Sequence, residues 1–237
     1  MVYRAIGLMS GSSLDGLDIV FAAFQEQAGK WTYEIQQADC YAYPEEWTQQ
    51  LQQAIHLPAK EYLLLHSQYG HYLGQQVNRF IEAHQLHYKV AVIASHGHTT
   101  FHLPAQKMTA QLGDGAAIAA VTRLPVVSDL RAIDVAFGGQ GAPIVPMGEK
   151  LLLDGYDYFL NIGGISNLSG SSKLPSGGWG FDVCPANRVL NLLANDAGMQ
   201  YDEGGKLAAT GTVHDSLLDE LNALDYYQKG HPKSLAN

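Results

Sequence analysis

Apolar positions change period several times along the chain, and each change marks an element. Val2 to Met9 and Leu17 to Phe24 are apolar runs flanking Ser10-Gly11-Ser12-Ser13-Leu14-Asp15-Gly16, which predicts strand, small-residue turn, strand. Trp31, Tyr33 and Ile35 alternate with polar neighbours and predict a half-buried third strand over Trp31 to Gln37. The period then lengthens. Tyr62, Leu65, Tyr69, Tyr72, Leu73, Val77, Phe80 and Ile81 recur at three- and four-residue spacing, the stripe of an amphipathic helix of roughly 20 residues. Val90 to Ala94 reads as a short buried strand. Ala116 to Val121 reads as a helix capped by Asp114, and Leu124 to Ser128 as a strand with Pro125 at its start.

Glycine and proline thicken at Gly138-Gly139-Gln140-Gly141-Ala142-Pro143, and beyond them the opening order begins again. Tyr156 to Ile162 predicts a strand, Gly163-Gly164 a tight turn, and Ile165 to Leu168 and Trp179 to Val183 two further strands. A helix follows from Pro185 to Ala194, with Val189, Leu190, Leu192 and Leu193 as its apolar side, and a last one from Asp215 to Leu224. The repeat is one of organisation, not of sequence identity: each half opens with a hairpin turning on small residues, then a third strand, then helices. The first half adds two more strands and the second does not. The expected division is a first domain over 1–125 and the beginning of a second over 126–237, with no linker between them.

Composition narrows the class. With 46% apolar and 16% charged residues in 237, charge-driven disorder is excluded. A net charge of −9, from 14 basic and 23 acidic residues, opposes binding to nucleic acid or an anionic membrane. Cys40 and Cys184 make no disulfide framework. No apolar run approaches the roughly 18 residues of a membrane helix, and the first residues lack a signal-peptide build. The expectation is a cytoplasmic globular protein without nucleic-acid or membrane partners.

The candidate chemistry gathers at the turns. Ser10 to Gly16 offers backbone N–H groups, the Ser12 and Ser13 hydroxyls, and carboxylates at Asp15 and Asp18. Gly11 and Gly16 permit the positive φ that aims several N–H groups at one anion, with Mg²⁺ held by a carboxylate directly or through water. An ordinary hairpin favours the same residues. The turn at Gly163 and Gly164 has the same plan, so the pair can grip nucleotide phosphates across a cleft. Asp182, at a strand end before a helix, suits a general base or a helix cap. Alternation puts His96 and His98 on one strand face, but their spacing with His102 matches no zinc pattern. Ser95 to Thr100 therefore reads as a ligand-binding loop after a strand. Arg131 suits a phosphate or a sugar carboxylate, or an ion pair.

Leu8 to Asp18 closely resembles the N-terminal signature of the anhydro-N-acetylmuramic acid kinases, as do Ser95-His96-Gly97-His98-Thr99, Gln111-Leu112-Gly113-Asp114 and Gly138 to Pro146. Leu160 to Asn167, Gly180 to Asn187 and Tyr201 to Gly211 continue the resemblance over essentially the whole chain. It implies an α/β, ribonuclease-H-like (actin-like ATPase) fold, with one complete domain and an incomplete second one around a nucleotide cleft. It also implies ATP- and Mg²⁺-dependent conversion of 1,6-anhydro-N-acetylmuramic acid and water to N-acetylmuramic acid 6-phosphate. The resemblance makes Asp182 the base that activates water. It assigns Gly11, Ser12, Ser13, Leu14, Asp15, Gly16, Leu17 and Asp18 to the ATP phosphates, with Gly163 and Gly164 opposite and Asp18 toward the metal. Thr99, Arg131, Gly139, Gln140, Gly141 and Pro143 become sugar contacts.

The sequence departs from the family at Cys184-Pro185-Ala186-Asn187, where Gly-Pro-Gly-Asn is usual, at His98, where many members carry glutamine, and at a shortened basic stretch, Arg131-Ala132-Ile133. The family also continues past Asn237, so the resemblance implies an N-terminal portion that is inactive alone. A non-catalytic or chaperone-like nucleotide-binding module of the same fold is the alternative, and a homodimer is the assembly left open.

Overall fold

A computed structural model describes residues 1–11, 14–141, 144–153, 155–171, 178–231 and 233–235. It divides into two compact units, Met1–Gly155 and Tyr156–Leu235. The first contains β1 (Val2–Ser10), β2 (Gly16–Gln27), β3 (Lys30–Ala42), α1 (Glu45–Gln53), α2 (Ala59–Ala83) and β4 (Val92–Leu103). β5 (Met108–Leu112), α3 (Gly115–Thr122), β6 (Val126–Val127), α4 (Ala132–Ala136) and α5 (Ile144–Leu152) complete it.

β1, β2 and β3 form an antiparallel meander, with Ser10 opposite Leu17 at the first turn. β4 lies parallel to β1 on its other side. The far edge of β4 pairs first with parallel β6, Ile93 opposite Val126, and then with antiparallel β5, Leu103 opposite Met108. The strand order is thus β3-β2-β1-β4-β5, with β6 also on β4. The C-terminal ends of the parallel strands β1, β4 and β6 point the same way, the end at which open α/β sheets bind ligands.

The core follows from the two periodicities. Alternate residues Leu17, Ile19 and Phe21 of β2, with Ile6 and Leu8 of β1, face inward. The α2 stripe of Leu65, Tyr69, Leu73, Val77 and Phe80 covers them. Tyr69, Leu73, Val77 and Phe80 are completely buried, each worth roughly 1.5–3 kcal/mol by transfer. The helix stops where Gln85 turns left-handed at φ 54°, and α3 begins on the expected cap, Asp114 accepting from the Ala116 N–H at 2.8 Å.

Two expectations need correction. Ser95 to Thr100 is not a loop: it continues β4, which runs on to Leu103 and turns back through Pro104–Gln106 into β5. Its polar residues find partners across the sheet, as when Thr100 Oγ1 donates to the Ala110 carbonyl at 3.1 Å. Nor do His96 and His98 share a face. A bulge leaves three steps on β4, Ser95 to His98, against two on β1, Leu8 to Ser10, and turns His98 toward α2. The first compact unit runs to Gly155, with β6 paired to β4 and α4 packed on β5.

The second unit opens with an antiparallel meander, β7 (Tyr158–Ile162), β8 (Ile165–Gly170) and β9 (Trp179–Pro185), followed by α6 (Asn187–Asp196), α7 (Asp215–Asn222) and α8 (Asp225–Gln228). The expected apolar side of α6 is exposed, from 42% at Val189 to 59% at Leu192 and Leu193. Among the described residues no helix is long and apolar enough to cross a membrane.

Candidate active site

In the first unit the candidate residues lie at the C-terminal ends of β1 and β4 and in the segment after β6. The β1–β2 turn is partly closed by the Leu14 N–H donating to the Gly11 carbonyl at 3.4 Å. Among its described residues the left-handed one is Leu14, φ 57°, not Gly11 or Gly16. Gly16 is required for another reason: a Cβ there would lie 2.8 Å from both Cys40 Sγ and the Tyr41 carbonyl of β3. Leu17 puts its side chain in the core, while Asp15 and Asp18 are exposed beside the turn. Desolvation, a hydrogen bond to Asp18, and the charges of Asp18 and Asp15 push the Cys40 thiol up to about 11, so it remains a protonated donor. Ser12 and Ser13 lie outside the described residues, as does Pro143.

β4 presents Thr99, whose Oγ1 is buried without a hydrogen-bond partner among the described residues, as is Ser95 Oγ. Buried hydroxyls are rarely left so, which marks Thr99 as a group awaiting a partner. His96 Nδ1 lies 2.9 Å from the Gly97 carbonyl, so it carries the proton and leaves Nε2 as an acceptor. Burial, with the nearby Arg131 charge, pushes the His96 pKa down and keeps the ring neutral.

Arg131 is followed by a loop that Asp134 organises. The Asp134 carboxylate accepts from the Gly141 N–H at 2.7 Å, and its carbonyl accepts from the Gly139 N–H at 2.8 Å. A Cβ on Gly139 would fall on the Asp134 carboxylate; one on Gly141 would lie 3.1 Å from His102 Cε1 and 3.5 Å from Arg131 Cβ. Thus Arg131, His102 and the Gly138–Gly141 loop, scattered in sequence, come together. Asp134→Ala is expected to strand the Gly141 N–H and cost about 1–3 kcal/mol; Asp134→Asn, which keeps an acceptor oxygen, should cost less. Urea unfolding of both variants checks the difference.

In the second unit Asp182 sits within β9 opposite Asn167, beside a bulge, rather than at the strand end. It is not the cap of α6, whose N-cap is Ala186. The Leu235 N–H donates to Asp182 Oδ2 at 2.8 Å, Tyr226 Oη donates to the Asp182 carbonyl at 2.7 Å, and the Asp182 N–H donates to the Lys233 carbonyl at 3.1 Å. Lys233 Nζ in turn lies 4.6 Å from the Tyr226 ring centre. Tyr226, Lys233 and Leu235 were not foreseen, since no local pattern links them to a residue some fifty positions earlier.

Gly163 and Gly164 receive the start of α6: the N–H groups of Asn187 and Arg188 donate to their carbonyls at 3.0 and 3.2 Å. The Gly163 N–H is itself used by the Ile165 carbonyl at 3.3 Å. Neither glycine is left-handed.

This is an α/β protein with glycine- and hydroxyl-rich segments at the ligand end of its sheet. The profile of the family described as anhydro-N-acetylmuramic acid kinase matches residues 3–237. Curated relatives bear the same description. That of Rhodopseudomonas palustris is 34% identical over 99% of this chain and 67% of its own length. The Nitrosospira multiformis protein is 37% identical over 98% and 64%, and that of Haemophilus influenzae 35% over 97% and 61%. The chain belongs to the anhydro-N-acetylmuramic acid kinase family, and it spans 61–67% of the length of these three relatives. Ethanolamine utilization protein EutJ from Carboxydothermus hydrogenoformans overlaps 87% of this chain and 60% of its own at 15% identity, but its TM-score of 0.34 adds nothing to the fold.

Proposed function

We propose that this chain carries the phosphate-binding turn, the sugar contacts and the water-activating base of an ATP-dependent, cytoplasmic anhydro-N-acetylmuramic acid kinase. The family match over residues 3–237 carries the reading. The strand order β3-β2-β1-β4-β5, with parallel β6 also on β4, supports a ribonuclease-H-like domain in the first unit, and the β7-β8-β9 meander supports a second of the same kind.

Phosphoryl transfer asks a protein mainly for positioning and charge stabilisation. The turn that Leu14 enters left-handed is the segment assigned to the phosphate oxygens, since a left-handed residue in a tight turn favours convergent N–H groups. Among the described residues no three His, Cys, Asp or Glu side chains are grouped for a metal. Mg²⁺ takes one or two carboxylates plus substrate phosphates, and exposed Asp18 is the residue that would hold it, directly or through water. When bound, Mg²⁺ neutralises charge on the transferring phosphoryl group.

Asp182 takes a proton from water, whose oxygen bonds to the anomeric carbon. The bond from that carbon to O6 breaks, and O6 accepts the γ-phosphoryl group as ADP leaves. Thr99 Oγ1, Arg131 and the Gly139–Gly141 loop hold the sugar. The test is product analysis in ¹⁸O-water with 1,6-anhydro-N-acetylmuramic acid and ATP, on a version spanning the family's full length. The expected product carries ¹⁸O on the anomeric carbon and phosphate on O6. Nucleotide binding with no sugar-dependent product would favour the non-catalytic nucleotide-binding alternative.

A further inference from the structure

Ser10 is the last residue of β1 and the residue that enters the turn, yet it is 3% exposed and its side chain joins the core face behind Ile6 and Leu8. Tyr43 Oη lies 2.8 Å from Ser10 Oγ and Tyr69 Oη 2.9 Å from it. The two phenol oxygens are 2.7 Å apart, and His98 Nδ1 lies 3.3 Å from Ser10 Oγ. Four elements thus converge on one hydroxyl: β1, the β3–α1 connection, α2 and β4. One phenol's proton lies between the two phenol oxygens, so Ser10 Oγ accepts from the other phenol and keeps its own proton for His98 Nδ1, which puts the ring proton on Nε2.

The surroundings make this arrangement stiff. Trp47 packs 5.3 Å from the Tyr69 ring and 4.8 Å from Tyr72, and Tyr43 lies 6.3 Å from Tyr72. Burial, with His96 beside it, pushes His98 down to about 4, and burial lifts the Tyr69 phenol well above its usual range. Near neutral pH the His98 ring is therefore uncharged and the Tyr69 phenol keeps its proton. The bulge at Gly97 turns His98 to the face where Ser10 lies; a regular strand would point it away.

We infer that Ser10, Tyr43, Tyr69 and His98 form a positioning network that fixes the entry to the β1–β2 turn and so sets how firmly that turn holds nucleotide phosphate. The inference rests on the reading of the turn as the phosphate site. None of the four is a catalytic residue; the tyrosines and His98 act through Ser10.

The test compares Tyr69→Phe, His98→Leu and His98→Gln with Tyr62→Phe, a control on the same helix whose hydroxyl meets Thr100 instead, at 2.6 Å. Hydrogen exchange of the 9–16 segment and calorimetric affinity for Mg·ADP are measured on each. Loss of one buried hydrogen bond corresponds to about three- to tenfold. Tyr69→Phe and His98→Leu are expected to speed turn exchange and weaken Mg·ADP by that much. His98→Gln should stay near the unaltered protein, since its carbonyl accepts the Ser10 proton, and Tyr62→Phe should move neither readout. Equal turn exchange in Tyr69→Phe and Tyr62→Phe would overturn the network. Asp18→Asn separates the two layers. If it weakens Mg·ADP while Tyr69→Phe does not, the turn binds phosphate and the network does not set it. If Asp18→Asn has no effect, the reading of the turn fails instead.

Discussion

In a version spanning the family's full length, replacing Asp182 with asparagine is expected to lower turnover about 10²–10⁴-fold, the range for loss of a general base, with nucleotide affinity and fold retained. The geometry explains why the change should be confined to chemistry. Asp182 is gripped through its backbone, by Tyr226 Oη on its carbonyl and by the Lys233 carbonyl on its N–H, and asparagine keeps both contacts. The Leu235 N–H at 2.8 Å from Oδ2 can be accepted by the amide oxygen in the same place. What asparagine lacks is a site that takes a proton from water. The loss should fall on kcat with little change in KM for ATP, because the nucleotide contacts proposed for Gly11 to Asp18 are made by other residues. Steady-state kinetics with 1,6-anhydro-N-acetylmuramic acid, beside a thermal melt, measures both. Turnover equal to that of the unaltered protein would remove Asp182 from the role of base.

Much of the first unit was legible because its elements are amphipathic. The stripe from Tyr62 to Ile81 and the runs flanking the Ser10–Gly16 turn carry the core, and hydropathy reads what is buried on one face. α1 escaped because it buries a single residue, Leu51, and its other local support is hydrogen bonds such as Gln49 to Glu45 at 3.0 Å. The second half of β4 escaped for the opposite reason. His98 and Thr100 are polar yet buried, and their partners, Ser10 and Tyr62, come from other elements. A polar buried strand has the same composition as a loop until its partners are known. The candidate site was legible as chemistry, since Asp182, Thr99 and the glycine clusters stand in recognisable blocks. What holds those residues was not. Tyr226 and Leu235 on Asp182, Asp134 on Gly141, and the two phenols on Ser10 are contacts made by the fold.

Gly97 was read as part of a loop; as a strand residue it predicts the largest stability loss among single methyl additions at the site. Its φ is +70°, which costs an L side chain roughly 1–2 kcal/mol. A Cβ there would also lie 2.5 Å from the Leu112 carbonyl and 3.1 Å from Gln111 Cβ, both on β5. Overpacking of that kind typically adds about 1–3 kcal/mol. The nearer obstacle is a backbone atom of a paired strand, so it cannot swing aside. Gly97→Ala is therefore expected to cost about 2–5 kcal/mol in all. The sum is a large part of the roughly 5–15 kcal/mol that holds a domain together. Gly29, in the β2–β3 turn, separates the two contributions: its φ is +80° and nothing lies within 4 Å of its Cβ position. Gly29→Ala should cost only the backbone share, about 1–2 kcal/mol. Urea unfolding of the two variants at one pH gives the comparison. The excess cost at Gly97 measures how tightly β4 and β5 close around the bulge that aims His98 at Ser10. Equal costs would mean that the bulge tolerates a side chain and that the close approach to Leu112 is not what fixes it.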